Sequence, residues 1–235
     1  MRFESFYSGS TGNLYRVSDG NTRLLIECGV PIKKIRAALD FKLGEIAACL
    51  VTHSHLDHAK AAADIMKAGI DLYCTKGTAE ALGLSGHRLH CIKAGEQFAI
   101  DKYAILPFAT EHDCNESIGF LIASGPEKLL FATDTFYLKY RFTGLTAIAI
   151  ECNWSKDTIS PDTPKVVLDR LYSSHFSLEN VVEFLKANDL SKVTSIHLLH
   201  LSSDNSDEKL FKQTIERLTG IPVYVAQKEA KPCNT

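Results

Sequence analysis

The chain has 235 residues, of which 45% are hydrophobic and 23% are charged, and its formal net charge is −2. This composition is typical of a globular protein, and the charge argues against a protein whose main task is to grip extended nucleic acid. Because we find no apolar run of 18 residues and no signal-peptide pattern, we predict no membrane span and a cytoplasmic location.

The order of predicted elements indicates a mixed α/β protein. Apolar alternation and short apolar runs predict strands at residues 2–7, 13–17, 23–27, 47–52, 71–74, 104–109, 117–123, 128–133, 147–151, 193–199 and 223–226. Helical periodicity predicts helices at residues 32–39, 58–68, 77–82, 164–171, 178–187 and 207–218. Many strands with helices placed between them predict two sheets packed face to face with helices outside, in one domain over residues 1–235.

Three smaller features support this outline. Residues 7–13, Tyr-Ser-Gly-Ser-Thr-Gly-Asn, favour a tight hairpin over an anion-binding loop, because no lysine follows as in a P-loop. Ser177 is a plausible N-cap for the helix at 178–187. Seven cysteines stand singly, at 28, 49, 74, 91, 114, 152 and 233, and no C-x-x-C pair occurs. We therefore expect reduced thiols.

Residues 52–58, Thr-His-Ser-His-Leu-Asp-His, are the most informative segment of the chain. They place three imidazoles and one carboxylate where a buried strand ends and a helix begins. Polar groups at this density are costly to bury unless something binds them. Nitrogen ligands together with a carboxylate suit zinc, manganese or iron better than calcium or magnesium. We predict a metal site here.

Three further ligand-type residues, His112, Asp134 and His200, lie just after predicted strands. Strand ends on one rim of a sheet converge on a single site. Counting ligands, we predict two metal sites, one formed by His53, His55 and His112 and the other by Asp57, His58 and His200. Asp134 is expected to bridge both metals, and a shared water or hydroxide would be activated between them. His197 lies mid-strand and is read as a packed histidine or one that orients a ligand.

The set His53, His55, Asp57, His58, His112, Asp134 and His200 resembles the metallo-β-lactamase superfamily across essentially the whole chain. That resemblance implies an αββα sandwich with two divalent transition metals at one edge, Zn²⁺ being expected and Mn²⁺ the alternative. The lactamases typically carry cysteine where Asp134 stands and lack the pair at 57 and 58. The pattern therefore looks like the phosphodiesterase, nuclease or glyoxalase branches. Where many relatives have aspartate this chain has Glu27, which either orients a ligand histidine or faces solvent.

A narrower resemblance rests on segments 7–13, 24–31, 150–153, 174–179 and 198–205. These look like the phage and bacterial anti-Pycsar enzymes, and also like an exonuclease-like group linked to the cell-wall two-component operon. The first group is favoured because the chain is compact and not basic. It implies a homodimeric phosphodiesterase that hydrolyses cyclic mononucleotides such as cyclic CMP and cyclic UMP and so counteracts host antiviral signalling, in the host cytoplasm if the chain is phage-encoded. A metal-dependent 5′–3′ exonuclease is the alternative, and thioester hydrolysis and a non-catalytic nucleotide-binding protein are weaker ones.

Several residues outside the ligand set receive predictions. Asp57 and His175 are the expected catalytic residues, with His175 donating a proton to the leaving ribose oxygen or hydrogen-bonding a phosphate oxygen. Tyr137 and its neighbours are read as packing a loop or a dimer contact rather than stacking a nucleobase, and the aromatic set is Phe136, Tyr137, Tyr140 and Phe142. Trp154 carries the same two interpretations. His87 and His90 are read as structural or solvent-exposed.

Overall fold

The computed structural model describes residues 1–229, and within that range the chain forms thirteen strands and seven α-helices. The strands are β1 (Arg2–Tyr7), β2 (Leu14–Ser18), β3 (Arg23–Ile26), β4 (Ile46–Leu50), β5 (Asp71–Thr75), β6 (Leu89–Ile92), β7 (Phe98–Ile100), β8 (Tyr103–Ala109), β9 (Ile118–Ser124), β10 (Glu127–Ala132), β11 (Ala147–Glu151), β12 (Ser195–Leu199) and β13 (Val223–Val225). The helices are α1 (Ile32–Ala38), α2 (Leu56–Ala59), α3 (Ala62–Lys67), α4 (Lys76–Ala81), α5 (Lys165–Ser174), α6 (Leu178–Ala187) and α7 (Glu208–Thr219).

The strands form two sheets. The first has six strands in the order β1-β2-β3-β4-β5-β6, antiparallel through β3 and parallel from β3 onward. The second has seven strands in the order β13-β12-β11-β10-β9-β8-β7, and the four strands from β10 to β13 are parallel. Parallel neighbouring strands need a crossover connection, and every such connection here except β10–β11 contains a helix. Because β10, β11 and β12 are parallel, their carboxyl ends lie at the same edge of the sheet. This edge carries the second group of predicted site residues.

The chain divides into two compact units, one comprising Met1–Ala109, Cys114–Phe120 and the segment that begins at Gln227, the other comprising Thr110–Asp113 and Leu121–Ala226. In the first unit, neighbouring strands bury a shared apolar core that includes Leu25, Cys49 and Leu72. In the second, Phe211 and Ile215 of α7 are fully buried, four residues apart on one helix face. That residues 1–235 form a single hydrolase domain stays a prediction.

The predicted elements agree with the structure for most strands and helices. β1, β11 and α6 have the predicted bounds, and the Ser177 side chain caps α6 by accepting a hydrogen bond from the Asn180 amide. Two strands, β6 and β7, were not predicted. The continuous helix predicted at 58–68 is wrong, because the Ala61 amide donates to the Cys28 carbonyl at 2.9 Å and the chain forms α2 and α3 instead.

Two further expectations concern the cysteines and the membrane. Cysteines 28, 49, 74, 91, 114 and 152 form no disulfide and are reduced thiols, as predicted, and Cys233 lies outside the described residues. Among the residues that the structure describes, no helix combines the length and the apolar character needed to cross a bilayer.

Candidate metal centre

The histidine-rich segment connects β4 to α3 in the first unit, and its side chains are held close together. The imidazoles of His53 and His58 are buried, with ring centroids 4.2 Å apart, while the ring of His55 lies 4.8 Å from that of His53. The Asp57 carboxylate lies 3.4 Å from Nε2 of His58. The four predicted ligands of this unit therefore form one cluster, as their spacing indicated.

A hydrogen-bonded chain orients His53. The Thr52 hydroxyl donates to Oε1 of Glu27 at 2.5 Å and lies 2.9 Å from Nδ1 of His53. Because the hydroxyl has a single proton and gives it to the carboxylate, it accepts from the Nδ1–H of His53. Nε2 then carries the lone pair, which is the tautomer that binds a metal.

Glu27 is fully buried and contacts Thr52 and His58, so the interpretation of a solvent-facing glutamate is wrong. Its Oε1 lies 3.3 Å from Nδ1 of His58. Burial raises the pKa of the Glu27 carboxyl, while the nearby His58 opposes that shift. The second interpretation, a carboxylate that orients ligand histidines, agrees with these contacts.

The loop at residues 7–13 closes a hairpin and also contacts the histidine-rich segment. β1 and β2 pair antiparallel around it, as predicted. In addition, the Asn13 side-chain amide lies 3.1 Å from Nε2 of His58 and donates to the Asp57 carbonyl, also at 3.1 Å. Gly29 approaches the same carbonyl so closely that a Cβ at this position would lie 1.6 Å from it. The Asn13 and Cys28 backbone amides also donate to the carbonyls of Asp57 and His58, each at 2.8 Å, so the histidine-rich segment is held from two sides.

In the second unit, His112 follows β8 and adopts the same tautomer by a different route. Its side chain is 1% exposed, and burial lowers the pKa of the imidazole, which favours the neutral form. Nδ1 lies 3.1 Å from the Ser174 carbonyl, an acceptor, so Nδ1 carries the proton. Nε2 is again the nitrogen available to a metal, and it lies 3.8 Å from the Asp134 carboxylate.

Asp134 and His200 directly follow the region where β10 and β12 end, in strained backbone conformations. Their φ angles are 46° and 51°, and Glu27 in the first unit has 65°. Each such conformation costs a residue with a side chain about 1–3 kcal/mol and is typical of functional positions. The strain turns both side chains together, so that Nδ1 of His200 lies 3.6 Å from the Asp134 carboxylate.

Glu151 is the residue that the sequence reasoning missed. It ends β11, is fully buried, and places Oε1 at 2.7 Å from Nδ1 of His175 and 3.2 Å from Nδ1 of His200. Its other oxygen accepts from the Thr135 and Phe176 amides at 3.0 and 3.1 Å. The signal for it was a glutamate at the end of an apolar strand, the position that had singled out Asp134 and His200.

The electrostatics of Glu151 and His175 describe an ion pair. Burial alone would raise the pKa of Glu151 and lower that of His175. The attraction between the two groups outweighs burial, so the pKa of the carboxyl is lowered and that of the imidazole is raised. His175 is therefore held protonated more readily than an ordinary histidine.

The donor set of the second unit fits a divalent transition metal. One ligand-type atom from each of four residues lies within 4.8 Å of the others, and these residues are Asp134, Glu151, His175 and His200. Because Glu151 and His175 pair with each other at 2.7 Å, Asp134 and His200 are the two members assigned to a metal. Metal-binding histidines characteristically direct their other nitrogen at an oxygen acceptor. Of the predicted ligands, His53, His58, His112 and His200 all place Nδ1 beside such an oxygen. This recurrence in both units is the strongest structural sign of metal binding.

The other singled-out residues fall outside these clusters. His197 stacks on Tyr224 with centroids 5.2 Å apart, and burial lowers the pKa of its imidazole to about 4, so it is a packed histidine. His90 lies in β6 and stacks on Tyr73 at 4.5 Å. Of the predicted aromatic set, Phe142 packs against Phe184 with centroids 6.3 Å apart.

Comparison with known proteins identifies the family. The sequence model of the beta-lactamase superfamily domain matches residues 22–198, so the chain belongs to this superfamily. It is 25% identical over 233 residues to the exodeoxyribonuclease WalJ of Streptococcus pneumoniae serotype 2 (strain D39), covering 92% of this chain and 87% of the relative. It is 23% identical to the exodeoxyribonuclease YycJ of Bacillus anthracis over 234 residues, 93% of this chain and 89% of that one.

Comparison with solved structures identifies the metallo-β-lactamase fold as well. The metallo-beta-lactamase fold protein YhfI from Bacillus subtilis has a TM-score of 0.75 at 13% identity, with 97% of this chain and 96% of that chain covered. The predicted αββα fold class is thereby confirmed. Family, fold and donor sets together make the protein a metal-dependent hydrolase.

Proposed function

We propose that the protein is a metal-dependent phosphodiesterase that removes nucleotides from DNA ends. The observation that carries this proposal is the contact at 2.7 Å between Glu151 and Nδ1 of His175, which orients the imidazole beside Asp134 and His200. Cleavage of a phosphodiester expels an alkoxide, which needs a proton as it leaves. A histidine whose Nδ1 is held by a carboxylate can supply one from Nε2.

The metal ligands are proposed as the sequence predicts them. His53, His55 and His112 would hold one cation, Asp57, His58 and His200 the second, and Asp134 would bridge the two. Zn²⁺ suits this nitrogen-rich set, with Mn²⁺ as the alternative. When bound, two such cations lower the pKa of a shared water and neutralise charge that develops on the non-bridging phosphate oxygens.

The protein's own side chains would then position the attacking water and protonate the leaving oxygen. Glu151 occupies Nδ1 of His175 at 2.7 Å, which leaves Nε2–H as the donor to the leaving oxygen. Asp57 is 25% exposed, so in addition to binding a metal its carboxylate can accept a hydrogen bond from the attacking water. Breaking the Glu151–His175 contact would therefore remove the acid while leaving the metal ligands in place.

The names of the relatives favour DNA as the substrate, since WalJ and YycJ are both exodeoxyribonucleases and match this chain over nearly its whole length. The formal charge of −2 favours a second candidate, a small cyclic mononucleotide such as cyclic CMP or cyclic UMP, because extended nucleic acid usually selects a basic surface. In that case the enzyme would remove Pycsar signals, and a homodimer is expected by resemblance.

A substrate panel separates the candidates. Purified protein is assayed with 5′-labelled and 3′-labelled single-stranded DNA, RNA and cyclic mononucleotides, with and without a chelator. We expect chelator-sensitive shortening of DNA, abolished in His53→Ala and Asp134→Ala and retained in His90→Ala, a histidine outside both clusters. Faster turnover of cyclic mononucleotides would replace the first candidate by the second. Turnover that survives both ligand substitutions would refute the site itself.

A further inference from the structure

A pocket of about 200 Å³ opens in the second unit, between the segment that follows β10 and helix α6. We propose that this pocket binds the nucleobase next to the phosphate that is cleaved. The proposal rests on the proposed function and adds to it the part of the site that recognises the substrate. The sequence pattern favoured a packing role for Tyr137 and Tyr140, and the family membership assigns no role to this pocket.

The walls of the pocket are aromatic. Phe176 and Phe184 line it as buried rings, 1% and 5% exposed, and Tyr137 and Tyr140 line it from the segment opposite, where Tyr137 is 52% exposed. Every nucleobase has a flat π-face that can stack on such rings, whichever base it is. A pocket lined by one half-exposed tyrosine and two buried phenylalanines is therefore suited to a planar ligand that enters from solvent.

Charges of both signs lie at the rim. Lys139 and Arg141 line the pocket on the segment that follows β10, and Glu183 lines it on α6, all three being exposed. Lys139 pairs with Glu111 at 3.3 Å, so Arg141 is the cation that attracts the adjoining phosphate or donates to the acceptor edge of a base, and glutamate accepts from the amino or imino groups of the base. The pocket lining therefore combines aromatic rings with charged groups of both signs, which argues against a purely apolar ligand.

The size of the pocket limits the ligand to one ring system. Pockets for drug-sized ligands usually measure about 300–1,000 Å³, and this one, at about 200 Å³, is smaller. A single base fits that space, whereas two stacked nucleotides do not. The pocket thus reads one nucleotide, as an enzyme that works at a chain end or on a mononucleotide requires.

The pocket is joined to the Glu151–His175 pair by direct contacts. The Phe176 amide donates to Oε2 of Glu151 at 3.1 Å, so the residue that walls the pocket also holds the carboxylate that orients His175. On the opposite side, the Asn180 side chain donates to the Phe136 carbonyl at 2.9 Å and ties α6 to the segment that follows Asp134. Both walls of the pocket are therefore fixed by hydrogen bonds, and the wall residue Phe176 directly follows the proposed acid, His175.

Binding of phosphate-free nucleosides tests the pocket without involving the metals. Saturation-transfer NMR of the metal-loaded protein with 2′-deoxyadenosine and 2′-deoxycytidine measures the affinity. We expect Tyr137→Ala to weaken binding between about 5-fold and about 100-fold, the usual effect of removing one stacking partner, and Tyr137→Phe to retain it. Tyr224→Ala, which removes a tyrosine that is 53% exposed in the same unit but outside the pocket, is the matched control and should bind as the wild type does.

Two results would overturn the pocket: no nucleoside binding by the wild type, or equal weakening in Tyr137→Ala and Tyr224→Ala. A separate assay of the wild type on bis(p-nitrophenyl) phosphate, which has no nucleobase, tests the chemistry alone. Hydrolysis of that ester without nucleoside binding refutes the pocket and leaves the proposed function standing. Nucleoside binding without metal-dependent hydrolysis of any phosphodiester refutes the proposed function and keeps the pocket.

Discussion

Replacing Glu151 by glutamine is the sharpest test of the second cluster. The substitution keeps the shape of the side chain and removes its charge. The imidazole of His175, 11% exposed, thereby loses the buried carboxylate that lies 2.7 Å from Nδ1. Removing one partner of a buried ion pair typically costs about 3–5 kcal/mol of unfolding free energy. Because one glutamine oxygen still accepts an amide hydrogen bond, we expect the lower end, about 3 kcal/mol.

The two pKa shifts determine how the loss of unfolding free energy in Glu151→Gln depends on pH. The raised pKa of His175 stabilises the fold fully below its unfolded value of 6.5 and ceases to do so as the pH rises through the folded value. The lowered pKa of Glu151 stabilises the fold above its unfolded value of 4.5 and ceases to do so as the pH falls through the folded value. The difference between wild type and Glu151→Gln should therefore be largest between pH 4.5 and 6.5 and shrink above that window.

The assay is urea unfolding of chelator-treated protein at several pH values, followed by circular dichroism, with the pKa of His175 measured by NMR. Glu80→Gln is the control, because it breaks an exposed contact with Lys76 at 3.5 Å that is worth less than about 1 kcal/mol. The reasoning is refuted if Glu151→Gln unfolds with the free energy of Glu80→Gln at pH 5.5, or if the difference grows as the pH is raised.

Gly29→Ala should displace the histidine-rich segment and abolish metal binding in equilibrium dialysis, since its Cβ would lie 1.6 Å from the Asp57 carbonyl, whereas Gly44→Ala meets nothing within 4 Å and should bind normally. Thr52→Val should weaken metal binding by about 10- to 100-fold, as loss of a group that orients a ligand usually does, and a value equal to the wild type would contradict the proposed hydrogen-bonded chain. His197, with its pKa lowered to about 4, favours the fold only while neutral. Stability should fall as the pH drops from 6.5 towards 4, by about 3 kcal/mol in all, and His197→Gln should remove that component in acid unfolding curves.

Local patterns were sufficient for most of the fold. β1, β11 and α6 were predicted to the residue because their apolar periodicity is regular and their ends are marked by turns or by a cap. β6 and β7 were missed because they are short and only partly buried. Their buried and exposed residues do not alternate clearly, so the pattern that marks a strand is absent from them. The break between α2 and α3 was missed because its cause is a hydrogen bond from Ala61 to Cys28, 33 positions earlier in the chain.

The sequence by itself determined the family and the placement of ligand-type residues at strand ends, because residue type, spacing and position after an apolar run are local properties. The tertiary structure decided which groups serve those ligands. Glu151 became recognisable only when parallel pairing of β11 with β12 set it beside Leu199, next to His200. Glu27 likewise acquired its role from burial against Thr52 and His58. Contacts between residues distant in the chain depend on strand register and burial, which no local pattern encodes.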